Sequence, residues 1–282
     1  MSTTKRNSVL SPQSSVLGDA HKQIAREQWS ANPCGASVAR DVEFGSREYF
    51  DAIEEYRYEE SPWMRQAIAF DGYAGKSLLE VGFGTGTDLL QFARGGARVT
   101  GVDLTPRSIE IARRRFEVYG MRAEFAIGDA EGLSFPDLSF DVVYSFGVLH
   151  HTPDTDGAVR EIHRVLKLGG RAIVMLYYRR SLYYWGSLVL KHGLLGGELL
   201  KASMAEIMSR HVEYSETEGR PLVKAYSRAE ARRMFRDFRE CNIQVNQLTR
   251  RDLRPAGRLL PEGLFEWLAR TFGWNLLITA TK

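Results

Sequence analysis

Between Lys76 and Tyr178, five short apolar runs alternate with amphipathic stretches, and no other feature constrains the chain as strongly. Runs of four to seven apolar residues separated by helical periods build a parallel sheet flanked by crossover helices. Strands are expected at Ser77–Val81, Arg98–Val102, Ala123–Ile127, Asp141–Ser145 and Ala172–Tyr177. One crossover helix opens at Thr105-Pro106, a capping residue before a proline at the first helical position. It carries Ile109, Ala112 and Phe116 on one face and ends at Gly120. A second is expected to start at Thr152-Pro153, to bury Ala158, Val159, Ile162, Val165 and Leu166, and to stop at Gly169-Gly170.

The rest of the chain divides around this block. Residues 18–72 read as a helical cap carrying Trp29, Tyr49, Phe50, Tyr56, Tyr58 and Trp63; residues 73–178 form the core. Residues 179–226 are too long and too apolar for an ordinary crossover and are expected to be a helical insertion. Residues 227–282 return to the sheet: Ser227-Arg-Ala-Glu230 is a capping box before an amphipathic helix to Phe238, then strands follow near Ile243–Leu248 and at Asn275–Thr281. The Ser-rich residues 1–17 lack the apolar block of a secretory signal and are expected to be a disordered leader on a cytoplasmic protein.

Composition removes several classes. The longest apolar run, Ala172 to Tyr178, is far short of a membrane span. Cys34 and Cys241 cannot supply a disulfide framework or a four-thiolate metal site. A net charge of +3 does not mark a nucleic-acid binder. Arg228, Arg232, Arg233, Arg236 and Arg239 read as a solvated helix face rather than a phosphate-binding one, because no aromatic or glycine-rich nucleic-acid motif accompanies them.

The chemistry concentrates at the first strand. Leu78-Leu79-Glu80-Val81 runs into Gly82-Phe83-Gly84-Thr85-Gly86, and a helix follows near Thr87. Such a turn lets backbone N–H groups approach a ligand at a positive helix terminus. The dinucleotide fingerprint wants its third glycine one position later, where Thr87 stands, which argues against nicotinamide binding. Asp103 ends the next strand, where a carboxylate accepts hydrogen bonds from both ribose hydroxyls, and Asp129 ends the third, where one accepts from an adenine amine. Together they describe a nucleoside site.

With these residues in order the chain resembles the class I S-adenosylmethionine (SAM)-dependent methyltransferases, most closely the ubiquinone/menaquinone methyltransferase-like group of small-molecule enzymes. The resemblance runs from Tyr73 to Leu176 through Glu80–Gly86, Gly101-Val-Asp-Leu104, Gly128-Asp-Ala130, Phe140–Ser145, Val148-Leu-His-His151 and Leu166–Gly170. Phe272–Leu277 resembles that fold's last strand. It implies an α/β Rossmann-like fold, a seven-stranded, mostly parallel sheet with its last strand reversed, and SAM across the carboxyl ends of the first strands. It also implies roles. Gly82, Phe83, Gly84, Thr85 and Gly86 would hold the methionyl part and Glu80 its amino group. Asp103 and Leu104 would take the ribose and adenine face, and Asp129 and Ala130 the adenine edge. Ser145, Phe146 and Gly147 would border the sulfonium, and Tyr49 and Arg57 would close over the methionyl carboxylate.

Methyl transfer neutralises a sulfonium in line, so the cap and insertion are natural lids and S-adenosylhomocysteine (SAH) is the product. If the acceptor carries a proton, His150 and His151 are the expected bases; the bland alternative is that either caps a helix or packs beneath the cofactor. Tyr178, Tyr183, Tyr184 and Trp185 are expected to line the pocket of a small, apolar or aromatic acceptor. The same segment also suits a homodimer face, a membrane-surface helix or ordinary core. No metal is expected, since the fifth strand ends in Tyr177-Tyr178 rather than in carboxylates. Two other functions share these motifs: methylation of RNA or protein, and a nucleoside-binding regulator without turnover.

Overall fold

The computed structural model describes residues 12–213 and 219–282. Of the leader expected over 1–17, residues 1–11 lie outside the described residues and the first helix begins at Pro12. The helices are α1 (Pro12–Ala31), α2 (Arg47–Glu60), α3 (Trp63–Ile68), α4 (Thr87–Arg94), α5 (Pro106–Val118), α6 (Thr155–Val165), α7 (Met204–His211), α8 (Arg228–Met234) and α9 (Glu262–Phe272). The strands are β1 (Ser77–Val81), β2 (Arg98–Asp103), β3 (Glu124–Ile127), β4 (Phe140–Phe146), β5 (Leu166–Tyr178), β6 (Ala225–Tyr226), β7 (Glu240–Asn246) and β8 (Asn275–Thr281).

Seven strands lie in the order β3-β2-β1-β4-β5-β8-β7, with β8 antiparallel to both neighbours. The expected seven-stranded sheet gains an eighth member: β6, only Ala225–Tyr226, pairs with Tyr177 and Tyr178. Two residues leave no period to read, so sequence could not show it. The order reverses between β1 and β4, which is where open α/β sheets bind ligands.

Strand alternation puts a core on each face of the sheet. Leu79 and Val81 of β1 join Ala158, Val159, Ile162 and Val165 of α6 in one core. Leu78 turns the other way, into Leu89, Leu90 and Phe92 of α4 and Ile109, Ala112 and Phe116 of α5. Burying one such side chain contributes about 1.5–3 kcal/mol, so the two layers hold β1 and its loop from both sides.

The local signals mostly fall where the residues dictate. Thr105 caps α5 by accepting from Ser108 N at 3.2 Å, and Ser227 with Glu230 forms the capping box of α8. At α6 the expectation is corrected. The cap is Asp154, which accepts from Gly157 N at 2.8 Å, while Thr152 Oγ1 donates to Leu149 O and closes a short turn over Leu149–His151. Gly169-Gly170 does not stop that helix either, since β5 already starts at Leu166. The pair forms an irregularity within β5 instead, with Gly169 at φ +74°. The insertion is a π-helical segment over Tyr183–Leu195, a short turn at Glu198–Leu200, and α7.

Candidate functional site

A cavity of about 240 Å³ opens at the carboxyl ends of β1, β2, β3, β4 and β5. Its floor is the turn after β1. Gly82, Gly84 and Gly86 all lie at positive φ (+75°, +54° and +74°), a region that costs other L-residues strain. At Gly82 a Cβ would come within 2.3 Å of Val148 Cγ2. Gly84 has nothing within 4 Å of that position and lines the cavity, so its missing side chain leaves room for a ligand.

Asp103 holds this floor in shape. Its Oδ2 accepts from Gly84 N at 2.9 Å and its Oδ1 from Thr105 N at 3.0 Å, yet the residue still lines the cavity. Burial raises its pKa, and the hydrogen bonds from Thr105 and Gly84 oppose the rise. Leu104, Asp129 and Ala130 line the same side, where Gly128 lets β3 end close against Val102. Asp129 is engaged by Lys22 Nζ at 2.6 Å.

Beneath the loop sits a buried charge cluster that the sequence did not announce. Arg57 Nε and Nη2 donate to Asp88 Oδ1 and Oδ2 at 3.1 and 2.5 Å, and Tyr58 and Tyr144 add hydroxyl donors at 2.9 and 2.7 Å. Burial pushes the Asp88 carboxyl up, but Arg57 and these hydrogen bonds outweigh it and hold the pKa below its ordinary value. Arg57 lines the cavity as expected, with Asp88 as its counter-ion. Glu80 is different. It is buried, its Oε2 has no hydrogen-bond partner, and burial with the nearby Asp88 and Asp103 carboxylates holds its pKa well above the usual range. Glu80 is not among the residues that line the cavity, but an orphaned acid beside a glycine cradle fits a ligand that brings an ammonium group.

Several expected contacts support the loop from behind. Phe83 packs into the core against Gly101 and Phe125. Thr85 Oγ1 is 3.1 Å from Thr87 Oγ1, Gly86 caps α4, and Ser145 Oγ donates to Val81 O at 3.0 Å. Phe146 and Gly147 do line the cavity. Tyr49 does not: α2 turns it into a separate cluster with Phe50, Ile53 and Ile111.

The far end of the cavity gathers Trp29, Cys34, His151, Met175, Tyr177 and Glu213. His151 Nδ1 is 2.7 Å from Leu222 O, and a carbonyl only accepts, so Nδ1 is the donor there and Nε2 is the ring nitrogen left to exchange a proton. That Nε2 lies 3.6 Å from Glu213 Oε1, which also accepts from the Tyr177 hydroxyl at 2.7 Å. The edge of Trp29 packs against the His151 ring with centroids 5.6 Å apart. Cys34 is exposed where it lines the cavity, and desolvation by the walls around its sulfur pushes the thiol pKa up.

His150 stands apart from its neighbour. It is fully buried behind the cavity, with its ring centroid 3.8 Å from that of Tyr177, and burial drives its pKa well below the ordinary histidine value. It supports Tyr177 rather than facing a ligand. The expected acceptor-binding residues are also displaced. Tyr178 has the parity of Val174 and Leu176 and points into the sheet core with them, whereas Tyr177 faces the cavity. Counting by twos along β5 would have found this. Tyr184 is buried inside the insertion, and Tyr183 and Trp185 are exposed on its outside. Sequence placed Trp29 and Cys34 no further than the cap and gave no signal for Glu213, because all three reach the cavity only through the docking of the cap and insertion.

Comparison with known proteins agrees with this architecture. A family model described as a methyltransferase domain matches residues 79–174. The demethylmenaquinone methyltransferase of Tropheryma whipplei (strain Twist) is 38% identical over 118 residues, 41% of this chain and 48% of that protein. The ubiquinone biosynthesis O-methyltransferase of Methylocella silvestris is 32% identical over 158 residues, 52% of this chain and 57% of that protein. The chain thus spans about half the length of these curated relatives. A solved SAM-dependent methyltransferase from Methanosarcina mazei superposes with a TM-score of 0.52 at 17% identity, covering 76% of this chain and 96% of that one, which shows a shared fold.

Proposed function

From the premise that residues 79–174 are a class I SAM-dependent methyltransferase domain of the quinone-methyltransferase-like group, we propose that the whole chain methylates a small organic acceptor. One observation carries this reading. A single cavity joins the nucleoside-type carboxylates Asp103 and Asp129 to a polar group of His151, Glu213 and Tyr177 at its other end.

The site fits SAM, which when bound supplies an electrophilic methyl group on a sulfonium. Glu80, whose Oε2 has no hydrogen-bond partner, would receive the ammonium of the methionyl part, and Arg57 would face its carboxylate. Asp103 would accept from the ribose hydroxyls, Leu104 would pack on the base, and Asp129 with Ala130 would meet its edge. Phe146, Gly147 and Met175 wall the middle of the cavity and exclude water from the reacting atoms.

At the acceptor end His151 Nε2 is the group able to take a proton. With the methyl group supplied by bound SAM, an acceptor that carries a proton would lose it to Nε2. Glu213 then lies where it stabilises the imidazolium, held there by the Tyr177 hydroxyl.

The test is incubation of the full chain with methyl-labelled SAM and an extract of its source, separating small molecules, RNA and protein. Label in small molecules supports the proposal. Label only in macromolecules rejects the acceptor class, and SAH binding without any labelled product favours a regulator over an enzyme.

A further inference from the structure

Over residues 180–201 the exposed side chains of the helical insertion are apolar or basic, and the exposed acid Glu206 lies beyond them on α7. Tyr184 and Leu188 turn inward against Ala202, Ile207, Met208, Val223 and Ala225, so the segment has a core of its own. What it leaves outside is unusual. Trp185 is 57% exposed, Leu194 61%, Leu195 79% and Leu200 88%. Leu199 folds back over Gly193, where a Cβ would meet Leu199 Cδ1 at 2.8 Å, so the two leucine pairs lie together at one end of the insertion. Between residues 180 and 201 the exposed charges are Arg180, Lys191 and Lys201, all cationic. The one acid in that stretch, Glu198, is half-buried and spoken for by His211 Nε2 at 2.7 Å and Arg210 Nη1 at 3.4 Å.

Ordinary core does not leave leucines this bare, and a ligand pocket would enclose them. Bare tryptophan and leucine in a stretch whose exposed charges are all cationic match a bilayer interface, where apolar side chains enter the acyl boundary and lysines meet anionic headgroups. Among the described residues no helix is long and apolar enough to cross a membrane, so the fit is to a surface rather than to a span. We propose that this face of the insertion, led by Trp185, Leu194, Leu195 and Leu200 and flanked by Arg180, Lys191 and Lys201, docks the protein on an anionic lipid surface.

The full chain should cosediment with phosphatidylcholine vesicles that contain phosphatidylglycerol, and much less with phosphatidylcholine alone. Each basic residue at the surface accounts for roughly fivefold in affinity, so Lys191→Glu with Lys201→Glu should weaken binding by more than tenfold. The triple change Leu194→Glu, Leu195→Glu and Leu200→Glu should abolish cosedimentation while SAH affinity stays as in the parent, which shows the fold intact. These side chains lie outside the cavity, so the result is independent of the methyl-transfer reading. Absence of binding to anionic vesicles, or binding that survives the triple change, overturns the proposal. So does a stable dimer in light scattering that the triple change dissociates with no vesicle binding, since a second copy would then be the partner.

Discussion

Lys22 Nζ lies 2.6 Å from Asp129 Oδ2 and 2.5 Å from Glu131 Oε2, fastening α1 to the end of β3 beside the cavity. Burial alone would lower the lysine pKa, but the two carboxylates outweigh it and raise it, so the ammonium is charged at neutral pH. The carboxylate that would read an adenine edge is therefore already neutralised by a residue of the cap. Ligand binding and the seating of α1 share one group.

Lys22→Ala should accordingly loosen the cap and speed both association and dissociation of SAH severalfold. Trp29, which lines the cavity on α1, is a built-in fluorophore for stopped-flow measurement. Rates equal to those of the parent would reject the latch.

Glu80 sets a pH dependence whose sign follows from its raised pKa. Its contribution to folding is present below the ordinary carboxyl range and is lost as pH rises towards the folded value, because the buried acid resists ionising. Glu80→Gln should therefore remove part of the decline in ligand-free stability above about pH 4.5. The same change should weaken SAH by roughly ten- to a hundredfold, the worth of one charge-assisted hydrogen bond. Thermal unfolding across pH, paired with calorimetric titration of SAH, checks both.

Asp103 holds the loop by accepting from Gly84 N and Thr105 N while it lines the cavity. Asp103→Ala should cost about a hundredfold or more in SAH affinity and also lower the melting temperature, because two backbone donors lose their acceptor. SAH affinity unchanged by this substitution would count against the nucleoside site itself.

The two adjacent histidines should separate by assay. His151→Gln should reduce kcat by about a hundred- to ten-thousandfold with little change in KM for SAM, as loss of a general base does. His150, held neutral by burial, contributes stability that is present above its ordinary value of 6.5 and lost as pH falls, since the unfolded chain then binds a proton the folded chain refuses. His150→Gln should flatten the stability curve below that pH in urea denaturation. A curve as steep as the parent's would reject this account.

The end of the cavity lined by Gly82, Gly84, Asp103 and Asp129 was legible because it is local. A strand, a turn needing positive φ and a carboxylate at a strand end are each specified within a few residues, so Gly82, Gly84, Asp103 and Asp129 emerge from spacing and backbone chemistry alone. Strand positions followed from the same short-range alternation, and β1 and β8 fall at Ser77–Val81 and Asn275–Thr281 as expected. Where two local signals competed, the nearer polar group won: Asp154, not Thr152, caps α6.

The end lined by Trp29, His151, Tyr177 and Glu213 depends on long-range packing. Glu213 reaches Tyr177 across 36 residues, Trp29 of the N-terminal helix meets the ring of His151 near the middle of the chain, and Arg57 finds Asp88 across 31. None of these pairs leaves a periodic trace, because each exists only once the cap and insertion have closed on the sheet. Sequence by itself determined the doubly wound core and the placing of Asp103 and Asp129 at strand ends on the cavity, through backbone conformation and strand parity. Tertiary structure alone decided which histidine faces the cavity, which tyrosine of Tyr177-Tyr178 turns into it, and which aromatic residues stay outside. Those choices rest on which surfaces are buried when separate segments dock.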